Sequence, residues 1–341
     1  RAASPVTAAD YGYMFEVIGG YAEMTETDDD GNIKNPDAKL NVTASEDGKK
    51  VIVVLPIDVP YFHELCAFPA YMPVKQSVIE EAGDAWATKA ETYICNGPYK
   101  VTSFTQTELV MEKNEYYFDA DKVVSDKLTF AFNDDDASLL ANYKNGTYLF
   151  IDSVPNDEIA NLQEEYKNEF FVEGQLGTYY VSFNVNDKAL ADFTQEEKAK
   201  IRTALGLMID RNYIAEEIGQ AGQVPASSFV PMGMTDADGS EFYKNAGSSD
   251  EFDGYYNVAK EAFEANYAEA YAILTKYYEV DENGMLTNFP TLTYLYNTSD
   301  GHKAIGEYLA SALAGMGITM NLENQEWNTF LNTRKNGDYS I

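Results

Sequence analysis

Cysteine and histidine are nearly absent, two of each in 341 residues. That shortage leaves almost no soft metal ligands and argues against a zinc enzyme, a haem protein or an iron–sulfur protein. Cys66 and Cys95 show no C-x-x-C pattern, so a redox motif is excluded. Two separate buried thiols are expected, with a structural disulfide as the alternative for an exported chain. Basic residues are scarce too: 56 Asp and Glu face 24 Lys and Arg, a formal net charge of −32. Such a field repels phosphate backbones and anionic headgroups, so no nucleic-acid partner is expected. No apolar run approaches the roughly 18 residues of a membrane span, and residues 51–57, the longest, are strand-sized. Residues 1–10 lack an initiating Met, a basic start and an apolar stretch, so a processed or truncated chain is expected. No G-x-S-x-G, H-E-x-x-H, P-loop or G-x-G-x-x-G occurs. No catalytic residue, metal or cofactor is therefore expected.

What the sequence does have is an ordinary globular composition, 45% hydrophobic and 23% charged, over a length that at roughly 150 residues per domain makes two or three domains. With 26 tyrosines, the acidic surface suits a secreted or cell-surface protein. Strands are expected at 40–43 and 51–55 around the turn 46–48, then Pro-studded chain from 56 to 73 that no helix can continue. A helix at 76–82, a hairpin of 99–104 with 108–113 and a strand at 127–132 follow. Helical spacing at 137–145 stops at Gly146, as a C′ glycine would require. Thr194 and Glu197 have capping-box spacing ahead of a helix at 196–208. Further helices are expected at 212–218, 258–278, 301–314 and 327–334, with strands at 178–184, 291–296, 318–322 and from 339 onward. A surface loop is expected at 233–254. Strands alternating with helices make the fold class α/β.

Glu26, Asp28, Asp30, Gly31 and Asp37 touch a calcium-loop template, but position 1 is not Asp, position 12 is not Glu, and no clean helix follows, so a solvated turn is expected. Asp134 to Asp136 precede a helix whose N-terminal dipole favours carboxylates. Trp327, Phe330, Leu331 and Arg334 fall at i, i+3, i+4 and i+7, one face of a short helix with a guanidinium at the end of an aromatic stripe. Core packing with a surface Arg is one reading of that spacing. A ligand wall, with Trp stacking on an organic group and Arg pairing with a carboxylate, is the other. Asn297 and His302 sit where a strand ends and a helix begins, and both could face a cleft.

Four blocks, taken in order along the chain, weigh those alternatives together. They are R-A-A-S-P-V-T-A-A-D-Y; V-P-Y-F-H-E-L-C-A-F-P-A-Y-M-P-V with G-D-A-W and N-G-P-Y-K; G-T-Y-Y-V-S-F-N with I-R-T-A-L-G-L-M-I-D-R-N-Y-I; and L-Y-N-T-S-D-G-H-K with L-E-N-Q-E-W-N-T-F-L-N-T-R. They resemble the oligopeptide-binding proteins of bacterial ABC importers, in the family-5 extracellular solute-binding group. The resemblance implies a two-lobed, venus-flytrap fold of the periplasmic-binding-protein kind with an extra subdomain, incomplete at both ends. Residues 1–74 would be the small extra subdomain, 75–176 part of the first lobe and 177–341 part of the second. Thr178, Tyr179, Tyr180 and Asn184 would belong to a hinge crossing. Ligand contacts carried over by the matching blocks are Tyr11, Asn297, His302, Trp327, Leu331 and Arg334, while Phe68 stands where many relatives carry histidine.

The function implied is capture of oligopeptides outside the cytoplasm, lipid-anchored at the cell surface or periplasmic, for delivery to the membrane permease subunits of an ABC importer. A monomer without chemistry of its own is expected. A receptor for another solute or a signalling peptide, and an acidic secreted hydrolase, are the alternatives. His302 begins a helix whose dipole attracts a carboxylate, so peptides whose C-terminus reaches it are expected to bind more tightly near pH 6 than near pH 8.

Overall fold

The structure, a computed structural model, describes residues 1–7, 9–245, 247, 249 and 251–341. Ala8 of the first resembling block, and Ala246, Ser248 and Asp250 of the expected surface loop, lie outside the described residues. The chain divides into two compact units, Arg1–Phe132 and Asn133–Ile341. This boundary falls inside the expected segment 75–176.

The first unit is built from short elements. Strands β1 (Val42–Ala44) and β2 (Val51–Val53) form an antiparallel pair. Strands β3 (Tyr99–Phe104), β4 (Glu108–Lys113) and β5 (Lys127–Ala131) form a three-stranded antiparallel sheet in that order. β3 and β4 begin and end where their alternation predicts, because period-two patterning and the turn between them specify the register together. The helix Gln76–Ala82 also has the expected bounds. Both cysteines are free and exposed, which corrects the expectation of buried thiols. The acidic loop spends its carboxylates on itself. Asp28 accepts from the backbone N–H groups of Asp30 and Asn32, and Glu26 pairs with Lys34 at 2.9 Å.

The second unit holds the main core. Helix Asp136–Lys144 is capped by Asp135, whose carboxylate accepts from Ser138 N–H, and Gly146 follows it at φ 79°, open to glycine at little steric cost. Helix Gln195–Leu207 carries the expected capping box between Thr194 and Glu197. Its buried face, Ile201, Ala204 and Leu205, packs with Ala270 and Leu274 of helix Phe263–Leu274. Two expected helices are shorter than their spacing suggests. Residues 212–218 become a single helical turn and a π-helical segment, Ile214–Gly219, and the long helix ends at Leu274. There Tyr277 and Tyr278 pack on Phe193, and Tyr278 also meets Phe289, so aromatic packing overrides helical propensity.

β6 (Leu292–Asn297) and β7 (Met320–Gln325) run parallel in register, joined by helix Asp300–Ala314. Helix Trp327–Asn336 follows β7 and returns the chain to the other side of β6. There Ile341 bonds in the parallel manner, its N–H donating to Thr293 O and its carbonyl accepting from Leu295 N–H. The expected strand at 178–184 is not formed as a ladder. Its β-forming residues pack, with Val181 and Phe183 against the core, but Asn184 N–H to Ser340 O is the backbone bond that ties it to a neighbour. Propensity describes fit to a pleated surface, and a strand also needs a paired edge.

Candidate functional site

A parallel pair ends both strands at the same edge, and loops beyond carboxyl ends are where open α/β sheets present donors. Here Asn297 closes β6 opposite Gln325 of β7. Thr298 then ties the two exits together, its N–H donating to Gln325 O at 3.1 Å and its hydroxyl to Asn324 Oδ1 at 3.1 Å. Two helices start from that edge. Ser299 caps the first, accepting from the His302 N–H, and Glu326 caps the second, accepting from the N–H groups of Asn328 and Thr329. His302 and Trp327 thus stand in the first turns of two helices that leave adjacent strand ends.

His302 is half-buried and its ring is held. Tyr179 Oη lies 2.9 Å from His302 Nδ1, with ring centroids 5.6 Å apart. Tyr179 is 56% exposed as a residue, yet burial dominates at its hydroxyl, the end that meets His302 and Tyr294. Burial lowers the His302 pKa and raises that of Tyr179. Burial chiefly, with Tyr179 beside it, raises Tyr294 as well. At neutral pH all three groups are uncharged. Tyr294 reaches its place because Gly306 has no side chain: a Cβ there would lie 2.8 Å from the tyrosine ring.

On helix Trp327–Asn336 the indole stacks on Phe330 at 5.7 Å, and the Arg334 guanidinium lies 5.7 Å from the same ring. Trp327 is 52% exposed, Arg334 is exposed and Leu331 is half-buried. The core reading of this stripe does not hold for the exposed Trp327, while the exposed Arg334 fits both readings and has no ion-pair partner among the described residues. Asn184 lies elsewhere in the same unit, where its side-chain amide donates to the Gly337 and Tyr339 carbonyls at the end of that helix. Thr178 is half-buried, and Tyr180 packs edge-on against Phe229. Tyr11 belongs to the first unit, 52% exposed, with its ring edge-on to Phe68 at 5.1 Å and Tyr13 at 6.4 Å.

Residues 3–341 match the family described as bacterial extracellular solute-binding proteins, family 5 Middle. The chain belongs to this family. Among relatives, the periplasmic oligopeptide-binding protein OppA of Salmonella typhimurium is 31% identical over 349 aligned positions, covering all of this chain and 58% of that protein. The solved structure of Burkholderia pseudomallei OppA superposes with a TM-score of 0.81 at 27% identity, over 99% of this chain and 61% of that one. Haemophilus influenzae OppA, solved in complex with RPPGFSPFR, gives 0.77 at 27% identity over the same shares. The chain therefore has the periplasmic-binding-protein fold and spans about three-fifths of its relatives' length.

Sequence reasoning missed the partnership of Tyr179 with His302, and Tyr294 behind it. Its signal was the alternation at 179, 181 and 183, which puts Tyr179 on the side of Val181 and Phe183, the side that meets the core beneath helix Asp300–Ala314.

Proposed function

We propose that the protein captures oligopeptides outside the cytoplasm and passes them to the permease subunits of an ABC importer, as a monomer that performs no chemistry on them. The observation that carries this reading is the shared edge of β6 and β7, where a neutral, tethered imidazole, an amide and a Trp–Phe–Arg stripe offer polar and aromatic groups to a ligand. Asn297 and His302 would meet peptide polar groups, His302 taking a terminal carboxylate. Trp327, Leu331 and Arg334 would line a side-chain pocket, and Tyr11 would contribute from the first unit. Main-chain recognition with roomy side-chain pockets suits broad sequence tolerance. Residues 1–74, 75–176 and 177–341 would be the extra subdomain and the two lobes, with Thr178, Tyr179, Tyr180 and Asn184 at the crossing.

Mass spectrometry of protein purified without denaturation tests the reading. Intact short peptides should leave with the protein. A different solute as the bound species, or cleavage of added peptides, would contradict it.

A further inference from the structure

His302 has two ring nitrogens, and the structure occupies one. Nδ1 lies 2.9 Å from Tyr179 Oη, and the buried Tyr294 of β6 stands beside Tyr179. Two neutral groups so paired can orient the shared proton in two senses. A phenol is a stronger acid than neutral imidazole, and the imidazole nitrogen is a far better acceptor than a phenol oxygen. The favoured sense therefore runs from Tyr179 O–H to His302 Nδ1. Titratable groups around the ring support this sense. Tyr179 and Tyr294 face it from the preceding segment and the sheet, both neutral, while Asp300 and Lys303 on its own helix are exposed.

We infer that Tyr179 is a positioning residue for ligand recognition: by donating to Nδ1 it fixes the tautomer in which His302 carries its proton on Nε2, so that a neutral ring presents an N–H donor to a peptide carboxylate. With the opposite sense, Nε2 would present a lone pair and repel the same carboxylate. The ligand half rests on the proposed role of His302, whereas the tautomer half is a property of the free protein. Second-layer hydrogen bonds of this kind set the tautomer of histidines that act through their other nitrogen.

The sequence makes the test clean, because His63 is the only other histidine. In protein carrying 15N-labelled histidine, without ligand at pH 8, His302 should show an unprotonated Nδ1 and a protonated Nε2. Tyr179→Phe should move the His302 nitrogens towards a mixture of tautomers and leave His63 in place. In calorimetry, Tyr179→Phe should weaken a peptide with a free C-terminus by roughly threefold to tenfold and leave its amidated counterpart unchanged. A wild-type ring protonated on Nδ1, or a Tyr179→Phe ring with an unchanged spectrum, overturns the inference. Equal loss for free and amidated peptides overturns its ligand half. If no peptide binds, the proposed function fails while the spectrum still decides the role of Tyr179.

Discussion

The two units use the same alphabet to different depth. In the second, a continuous cluster from Leu190 to Ile341 closes around Ile201, Met208, Leu274, Met316 and Ile318, all essentially without solvent contact. In the first, the buried apolar residues among the described ones are Ala3, Ile18, Val59 and Val110, while Phe130 and Phe132 remain about half exposed. Helix ends differ in parallel. Side chains cap the helices that begin after Asp135, Thr194, Asp210, Ser299 and Glu326, all in the second unit, although its helices Ile159–Glu165 and Phe263–Leu274 have no such cap. Lys75, Tyr61 and Gly20, which precede helices of the first, make no such bond. The lesson is that the candidate site at the β6–β7 edge stands on a buried frame, with side-chain caps on both helices that leave it. Tyr11 and Phe68, by contrast, each sit just before a short 3₁₀ helix, Gly12–Phe15 and Pro69–Tyr71.

The largest expected break in that comparison is a core truncation. Ile201→Ala should cost about 2–5 kcal/mol of stability, and Val110→Ala in the first unit less than about 2 kcal/mol, measured by denaturant unfolding. Equal losses would mean the cores are alike. Gly306→Ala comes next, at about 1–3 kcal/mol, because its methyl group would meet the Tyr294 ring at 2.8 Å. The Tyr179–His302 contact should loosen with it, and the histidine spectrum would register the change.

At the site, Arg334→Ala should leave stability nearly unchanged, since the side chain is exposed. It should weaken peptides bearing acidic side chains about tenfold more than neutral ones. Equal loss for both would remove the guanidinium from the pocket. The caps offer a smaller, paired test: Thr194→Ala should cost about 1 kcal/mol, and Lys75→Ser should gain up to that much by supplying the cap the first unit lacks. Thermal melts of the two variants would show opposite shifts.

The smallest effect is in acid. Burial holds the folded His302 pKa below its ordinary value of 6.5, so the unfolded chain binds the proton more readily. The stability tied to the neutral ring is present above that value and is lost as pH falls through it. His302→Gln should therefore narrow the gap in melting temperature between pH 8 and pH 5 relative to wild type. A gap of the same width would show that the ring is free of that burial.

Much of this was legible in the residues. The β3–β4 hairpin and helix 76–82 followed from alternation and from the chain that precedes them. The Thr194 cap followed from capping-box spacing, and the Asp134 to Asp136 cluster from its place before a helix, because both are local features within four residues. What escaped was non-local. The long helix stops at Leu274 because Tyr277 and Tyr278 find aromatic partners far away in sequence. The segment around Tyr179 reads as a strand but lacks a ladder along most of its length. The hydrogen bond that holds His302 joins residues 123 positions apart. Asn297, His302 and Trp327 were named from matching blocks, while their convergence at one sheet edge comes from the parallel register of β6 and β7.

Hydrogen–deuterium exchange with and without a mixture of short peptides tests that convergence most directly. Bound peptide should slow exchange together at residues 297–303, after β6, and at 327–334, after β7, with a weaker effect around Tyr11. Protection confined to the first unit, or none at the β6–β7 edge when peptide is bound, would contradict it.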